Sequence, residues 1–206
     1  MAELLPALSQ RRARRAFAST PVSAETEALL WRAVAVAPSH GNTQPTRVLI
    51  ARSSATRAAL VQALSPGNRQ WAAAAPLLLA LAALPKHDVP QPNSDGSVRE
   101  LWAFNAGIAA GNLMAQATDL GLIAHPMAGF DEVAARAVFS APTEVRILAV
   151  FALGYPGTVK SLPEDLQARE TAAQDRLPTE HFVADDRWLS RLDLSARDFR
   201  KRQATS

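Results

Sequence analysis

The chain of 206 residues contains no cysteine, so a disulfide framework, a thiolate metal site and a cysteine nucleophile are all excluded. Histidine is scarce as well. His40, His87, His125 and His181 lie far apart without His-x-x-x-His or Glu-x-x-His spacing, and no metal centre is expected. Long apolar runs are missing: the stretch from Trp71 to Pro85 has about 13 uninterrupted apolar residues, short of the roughly 18 to 20 that span a membrane. Residues Leu101 to Leu122 are broken by Asn105, Asn112, Gln116 and Asp119. The arginines of RRARRAF are followed by ASTPVSAETEALL rather than an apolar run, so no export signal is read and a cytoplasmic protein without a membrane partner is expected. Also absent are Gly-x-Gly-x-x-Gly after a strand, Gly-x-x-x-x-Gly-Lys-Ser/Thr and Gly-x-Ser-x-Gly, which argues against a Rossmann enzyme, a P-loop NTPase and a serine hydrolase.

What is present is an uneven charge. The net +3 hides a local +3 over residues 1–20 and +4 over residues 187–206, around a middle with sixteen acidic and twelve basic groups. A GC-rich coding bias would explain 42 Ala and 19 Arg against 3 Lys, so the position of the arginines is more informative than their number. A basic N-terminus suits nucleic acid, a membrane or a phosphorylated ligand. No aromatic is interleaved with the arginines and only Phe17 follows them, which disfavours nucleic acid.

Helix and strand signals alternate along the chain. Ser23 opens a helix carrying Leu30, Val34 and Ala37 until Pro38 stops it. Residues 46–52 (TRVLIAR), 76–84 (PLLLALAAL) and 145–153 (VRILAVFAL) read as strands, the second continuous enough for a sheet covered on both faces. Ser53 or Ser54 caps a helix with Leu60, Val61 and Leu64 on one face, and Asp131 caps a short one. The longest helix is expected over Val98–Leu120, where Ala103, Gly107, Gly111 and Ala115 form a face without bulk for close packing. Residues 85–97 form the longest irregular loop. The expected organisation is one α+β domain, residues 1–186, with a C-terminal extension over 187–206.

Four polar stations stand between these elements: Arg11–Phe17 (RRARRAF), Ala37–Pro45 (APSHGNTQP), His125–Asp131 (HPMAGFD) and Gln174–Val183 (QDRLPTEHFV). Arginine offers a planar fork of donors that matches phosphate bidentately. Proline and glycine can fix the second station's backbone while its amides and hydroxyl bond a ligand; on the residues alone it also reads as a helix stop with a turn. Asn68, after Ser-Pro-Gly, equally reads as a turn residue.

In this order, with an Ala-Pro before the second strand and the later Leu-Gly-Tyr-Pro, the stations resemble the FMN-dependent nitroreductase family over roughly residues 8–190. The resemblance implies a three-layer α/β/α fold with a central mixed sheet and a domain-swapped homodimer whose FMN sites lie at the subunit interface. It implies that Arg11, Arg12, Ala13 and Arg15 line the phosphate, ribityl and pyrimidine side of FMN, with Arg15 nearest the ring, Arg14 pointing away and Arg176 completing the phosphate cluster. Pro38, Ser39, Asn42 and Gln44 would reach the flavin from the partner, Asn68 would contact the pyrimidine edge, and Ala128 and Gly129 would lie over the ring near N5. The family pattern is not fully kept. Ala13 replaces a serine, Thr46 a tryptophan, Trp71 a lysine and Ala128 a glutamate, and the 85–97 loop is short.

The implied activity is a ping-pong NAD(P)H-dependent reduction of a small electron acceptor, nitroaromatic, quinone or similar, with FMN as cofactor and NAD(P)H as co-substrate. The chemistry resides in the cofactor, so no catalytic side chain is assigned; His40 and His125 could touch substrate but are more readily structural. The extension from Arg187, with Trp188, Leu189, Leu192 and Leu194, would wrap the partner. Other chemistry on the same flavin (fragmentation, dehalogenation, heterocycle oxidation) and non-enzymatic flavin binding are the alternatives.

Overall fold

The computed structural model describes residues 3–204, with side chains as far as residue 201. Residues 205 and 206 of the expected extension lie outside this range. The chain divides into two compact units, one reaching Glu170 and one starting at Thr171.

In the first unit, β1 (Thr46–Ile50), β2 (Leu77–Ala83), β5 (Ile123–Met127) and β6 (Arg146–Gly154) form a sheet in the order β1-β2-β6-β5. All three ladders are antiparallel. The mixed sheet expected from the resemblance is therefore corrected for the described residues: no pair of neighbouring strands runs parallel here. β2 is buried along its whole length because its two faces feed two cores. Leu78, Ala80 and Ala82 join Leu60 and Ala63 of α3 (Ser54–Ala63), Trp71 and Ala72 of α4 (Pro66–Ala72) and Ala135 of α6 (Glu132–Val138). Leu77, Leu79 and Leu81 join Leu30 of α2 (Ala24–Ala35) and Leu113 and Ala117 of α5 (Trp102–Asp119). The result is the expected helix, sheet, helix layering.

The local signals hold where chemistry is local. Ser23 and Ser53 accept the backbone N–H of Thr26 and Thr56 at 3.2 and 3.0 Å, and Asp131 accepts those of Val133 and Ala134. The long helix starts later than expected. Asp88, thirteen residues upstream, accepts the N–H groups of Leu101 and Trp102 at 2.6 and 3.2 Å, leaving Val98–Arg99 as β4, which pairs with β3 (Gln91–Pro92). The 85–97 loop thus carries a short hairpin. Most of the small-residue face of α5 is bare: Ala103, Gly107 and Gly111 are exposed while Ala115 is half-buried, and a Cβ at either glycine would find no atom within 4 Å outside its own helix.

The first unit also holds α1 (Pro6–Ser9), and α7 (Glu164–Thr171) runs to its boundary. In the second unit, short turns at Thr179–His181 and Ser190–Asp193 precede α8 (Ala196–Ala204). His181 and Phe199 rings meet at 5.0 Å, and Arg200 bonds Asp175 at 3.0 Å. No helix among the described residues is long and apolar enough to cross a membrane.

Candidate functional site

The arginine segment is pinned by the turn that follows β6. Phe17 bridges Pro156, Ala18 N–H donates to the Tyr155 carbonyl at 2.9 Å, and Gly157 N–H donates to the Ala16 carbonyl at 2.8 Å. A Cβ on Gly157 would stand 2.4 Å from the carbonyl carbon of Phe17, and one on Gly154 would stand 2.4 Å from Cδ of Pro76. The glycines of the LGYPG turn are thus what lets the segment lie this close.

Beneath the segment lies a buried socket. Trp71 is 3% exposed; its ring stacks on Phe17 at 6.2 Å, meets His125 at 4.5 Å and carries the Arg15 guanidinium 5.9 Å above it. His125 Nδ1 lies 2.9 Å from the Arg14 carbonyl. A carbonyl only accepts, so Nδ1 carries the hydrogen. Burial, reinforced by Arg15 and Arg11 and opposed by the Arg14 bond and Glu170, lowers the His125 pKa to about 4. A neutral, sealed imidazole is structural. Glu170 of α7 accepts the N–H of Arg15 at 2.8 and 2.9 Å and that of Ala16 at 3.0 Å, and stands 3.8 Å from Arg15 Nη1. Burial, with nearby Arg169, lowers the Arg15 pKa against the pull of Glu170.

Two further expected residues meet on the same side. Asn68, in the first turn of α4, donates from Nδ2 to the Gly129 carbonyl at 3.1 Å, and Ser65 N–H donates to the same oxygen at 2.8 Å. A Cβ at Gly129 would lie 2.7 Å from Ser65 Oγ. Ala128 and Gly129, just past β5, are exposed, and Trp71 of the same α4 lies under Arg15. The segments around residues 11–17, 68 and 128–129 therefore converge at the β5 edge. Arg12 is occupied locally, donating to the carbonyls of Ser9 and Arg11 at 2.8 and 2.9 Å, while Ala13 and Arg14 are exposed.

The loop with Pro38, Ser39, Asn42 and Gln44 is elsewhere. It leads into β1, the opposite edge of the four-stranded sheet, about 14 Å away at three inter-strand spacings. Gly41, Asn42 and Gln44 have φ of 57°, 53° and 45°, a strained run for the last two that is held by Gln44 N–H to Ser39 Oγ at 2.9 Å and Gln44 Nε2 to Asn42 Oδ1 at 2.9 Å. Such strain clusters at ligand sites. A mostly apolar cavity of about 360 Å³ lined by Pro38, Ser39, Gln44, Trp31 and Ala109 lies beside the loop.

One chain thus sets the segment of Arg11, Arg12, Ala13 and Arg15 on the side of β5 and α4 where Asn68 and Gly129 are bonded to each other, and sets Pro38 to Gln44 apart. Arg176 belongs to the second unit, where its Nη1 donates to the Asp175 carbonyl at 2.7 Å. Sequence reasoning missed Glu170: it lies 155 residues from Arg15 in an unremarkable helix, and no motif marks it. It also missed β5, part of which falls in the His125–Asp131 station, and α4, where only a turn at Asn68 was expected.

A Nitroreductase family model matches residues 8–69 and 59–155. The chain is 32% identical over 154 residues to a Streptomyces coelicolor protein provisionally named NADH dehydrogenase/NAD(P)H nitroreductase, covering 68% of this chain and 76% of that one. A solved structure described as an oxidoreductase containing FMN matches with a TM-score of 0.80 at 28% identity, over 91% of this chain and 94% of that one. The NADPH:FMN oxidoreductase of Vibrio harveyi, solved with NAD+, shares the fold at a TM-score of 0.74 and 20% identity, over 97% and 82%.

Proposed function

Because the chain belongs to the Nitroreductase family, we propose that it is an NAD(P)H-dependent FMN oxidoreductase that reduces nitroaromatic, quinone or similar conjugated acceptors, with the flavin held between two copies of the chain. The observation that carries this reading is the convergence at one sheet edge of the arginine segment, Asn68 and the exposed Ala128–Gly129 backbone. The residues fit FMN chemically. Arg11 and Arg15 supply cations for a phosphate and for an electron-rich ring edge. Asn68 keeps an amide oxygen beyond its bond to Gly129, and Gly129 leaves room for a planar ring to approach the backbone. Bound FMN would supply the redox chemistry of a ping-pong hydride transfer between NAD(P)H and the acceptor. The chain's part is to bind, orient and tune.

The division of the site supports a second copy. The strained 38–44 loop is set apart from the arginine segment, and the α5 face of Ala103, Gly107 and Gly111 is exposed and without bulk. Packing of two such faces would bring the loop of one copy to the arginines of the other, with the 187–206 extension wrapping the partner. Arg176 enters as a further phosphate ligand on the motif resemblance.

Titration of the purified protein with FMN, followed by flavin fluorescence, tests the assignment. Arg15→Ala and Arg176→Ala are each expected to weaken binding about tenfold or more, the loss of one charged contact. If both variants hold FMN as tightly as the parent, the site assignment is wrong.

A further inference from the structure

We propose that Glu170 is a positioning residue that fixes the arginine segment in its ligand-binding shape, an inference that rests on the FMN reading above. Few charged side chains are buried in the first unit, and Glu27 and Glu170 use their carboxylates differently. Glu27 makes a two-pronged pair with the exposed Arg52 guanidinium. Glu170 instead spends its oxygens on two successive peptide groups, the N–H of Arg15 and of Ala16, and its contact with the Arg15 guanidinium, at 3.8 Å, is longer than a hydrogen bond.

Successive backbone N–H groups turned toward one point form an anion-binding concavity. Here the chain's own carboxylate fills it, 7% exposed. The neighbouring backbone groups are committed too: the Arg14 carbonyl to His125, the Ala16 carbonyl to Gly157 N–H and Ala18 N–H to the Tyr155 carbonyl. The N–H groups of Arg15 and Ala16 are therefore closed to an external anion, and the direction in which Arg15 leaves the backbone is set by the two peptide planes that Glu170 holds. Trp71 supports the same guanidinium from below. The arrangement spans 155 residues of sequence, so nothing local would restore it.

A countercharge and a template predict opposite outcomes when the charge is removed. Were Glu170 only a countercharge opposing the cationic cluster, Glu170→Gln would tighten binding of an anionic ligand. As a template, it weakens binding, because Gln keeps one acceptor oxygen and turns an NH2 toward a peptide N–H. The experiment is an FMN titration of the parent, Glu170→Gln and Glu170→Asp at two ionic strengths, with thermal unfolding of each. We expect the FMN Kd of Glu170→Gln to rise about tenfold or more, with weaker salt dependence as Arg15 loses the anion. Glu170→Asp, which keeps the charge but sets both acceptors one methylene further back, should raise the Kd several-fold, less than Glu170→Gln. An unchanged or tighter Kd in folded Glu170→Gln overturns the inference and leaves the FMN reading standing. If Glu170→Gln does not fold, Glu170→Asp decides: a Kd raised several-fold supports the template, and a parental Kd overturns it. A parent that does not bind FMN overturns both.

Discussion

His125 shows how much a single side chain's surroundings decide. In the sequence it sits in a polar station and could serve substrate; in the fold it is sealed between Trp71 and the Arg14 carbonyl with its pKa lowered to about 4. The unfolded imidazole takes up a proton below about 6.5, whereas the folded one stays neutral to about 4. Its contribution is therefore fully present above pH 6.5 and is lost as the pH falls toward 4, up to about 3 kcal/mol. Urea unfolding of the parent and His125→Gln at pH 7 and pH 4.5 checks this: the variant should be less stable at pH 7 but show the smaller drop on acidification. Equal drops would remove His125 from the account. Glu170 was illegible for a related reason. Its role is defined by peptide groups 155 positions away, and no spacing rule reports such a contact.

At the scale of elements, what was legible was what neighbouring residues decide. Ser23, Ser53 and Asp131 cap helices as their sequence contexts predict, and the unbroken PLLLALAAL run is the fully buried strand it resembles. What was hidden depended on distant partners. The start of α5 is set by Asp88 across the hairpin, and HPM is a strand only because β6 pairs with it. The turn after β6 is a joint between elements whose glycines can be tested. In Gly157→Ala the new methyl would sit 2.4 Å from the backbone of Phe17, forcing the arginine segment away. A loss of about 1–3 kcal/mol is expected, together with weaker FMN binding, both readable from thermal unfolding with and without FMN. A variant as stable as the parent would show that the joint yields.

For the whole molecule, the same convergence supports both the proposed FMN site and the proposed second copy. The N-terminal arginines, Asn68 and Gly129 meet at the β5 edge, while the strained Pro38–Gln44 loop stands at the β1 edge. The motif order was readable from sequence; this separation was not, because it follows from strand order. Filling the bare α5 face tests the dimer. Gly107→Leu with Gly111→Leu should raise helix propensity by about 1 kcal/mol per site, so the fold is kept, yet the bulk should hold a second copy off. Light scattering is expected to report a monomer that no longer retains FMN. A flavin-loaded dimer from this variant would place the interface elsewhere.

The most direct measurement of the central claim is anaerobic titration of the purified, FMN-loaded protein with NADH and with NADPH, following visible flavin absorbance. Equimolar FMN per chain, bleached by at least one nicotinamide and restored on adding a quinone or nitroaromatic, is the predicted result. A protein that takes up no FMN, or holds it unbleached by either nucleotide, would contradict the account.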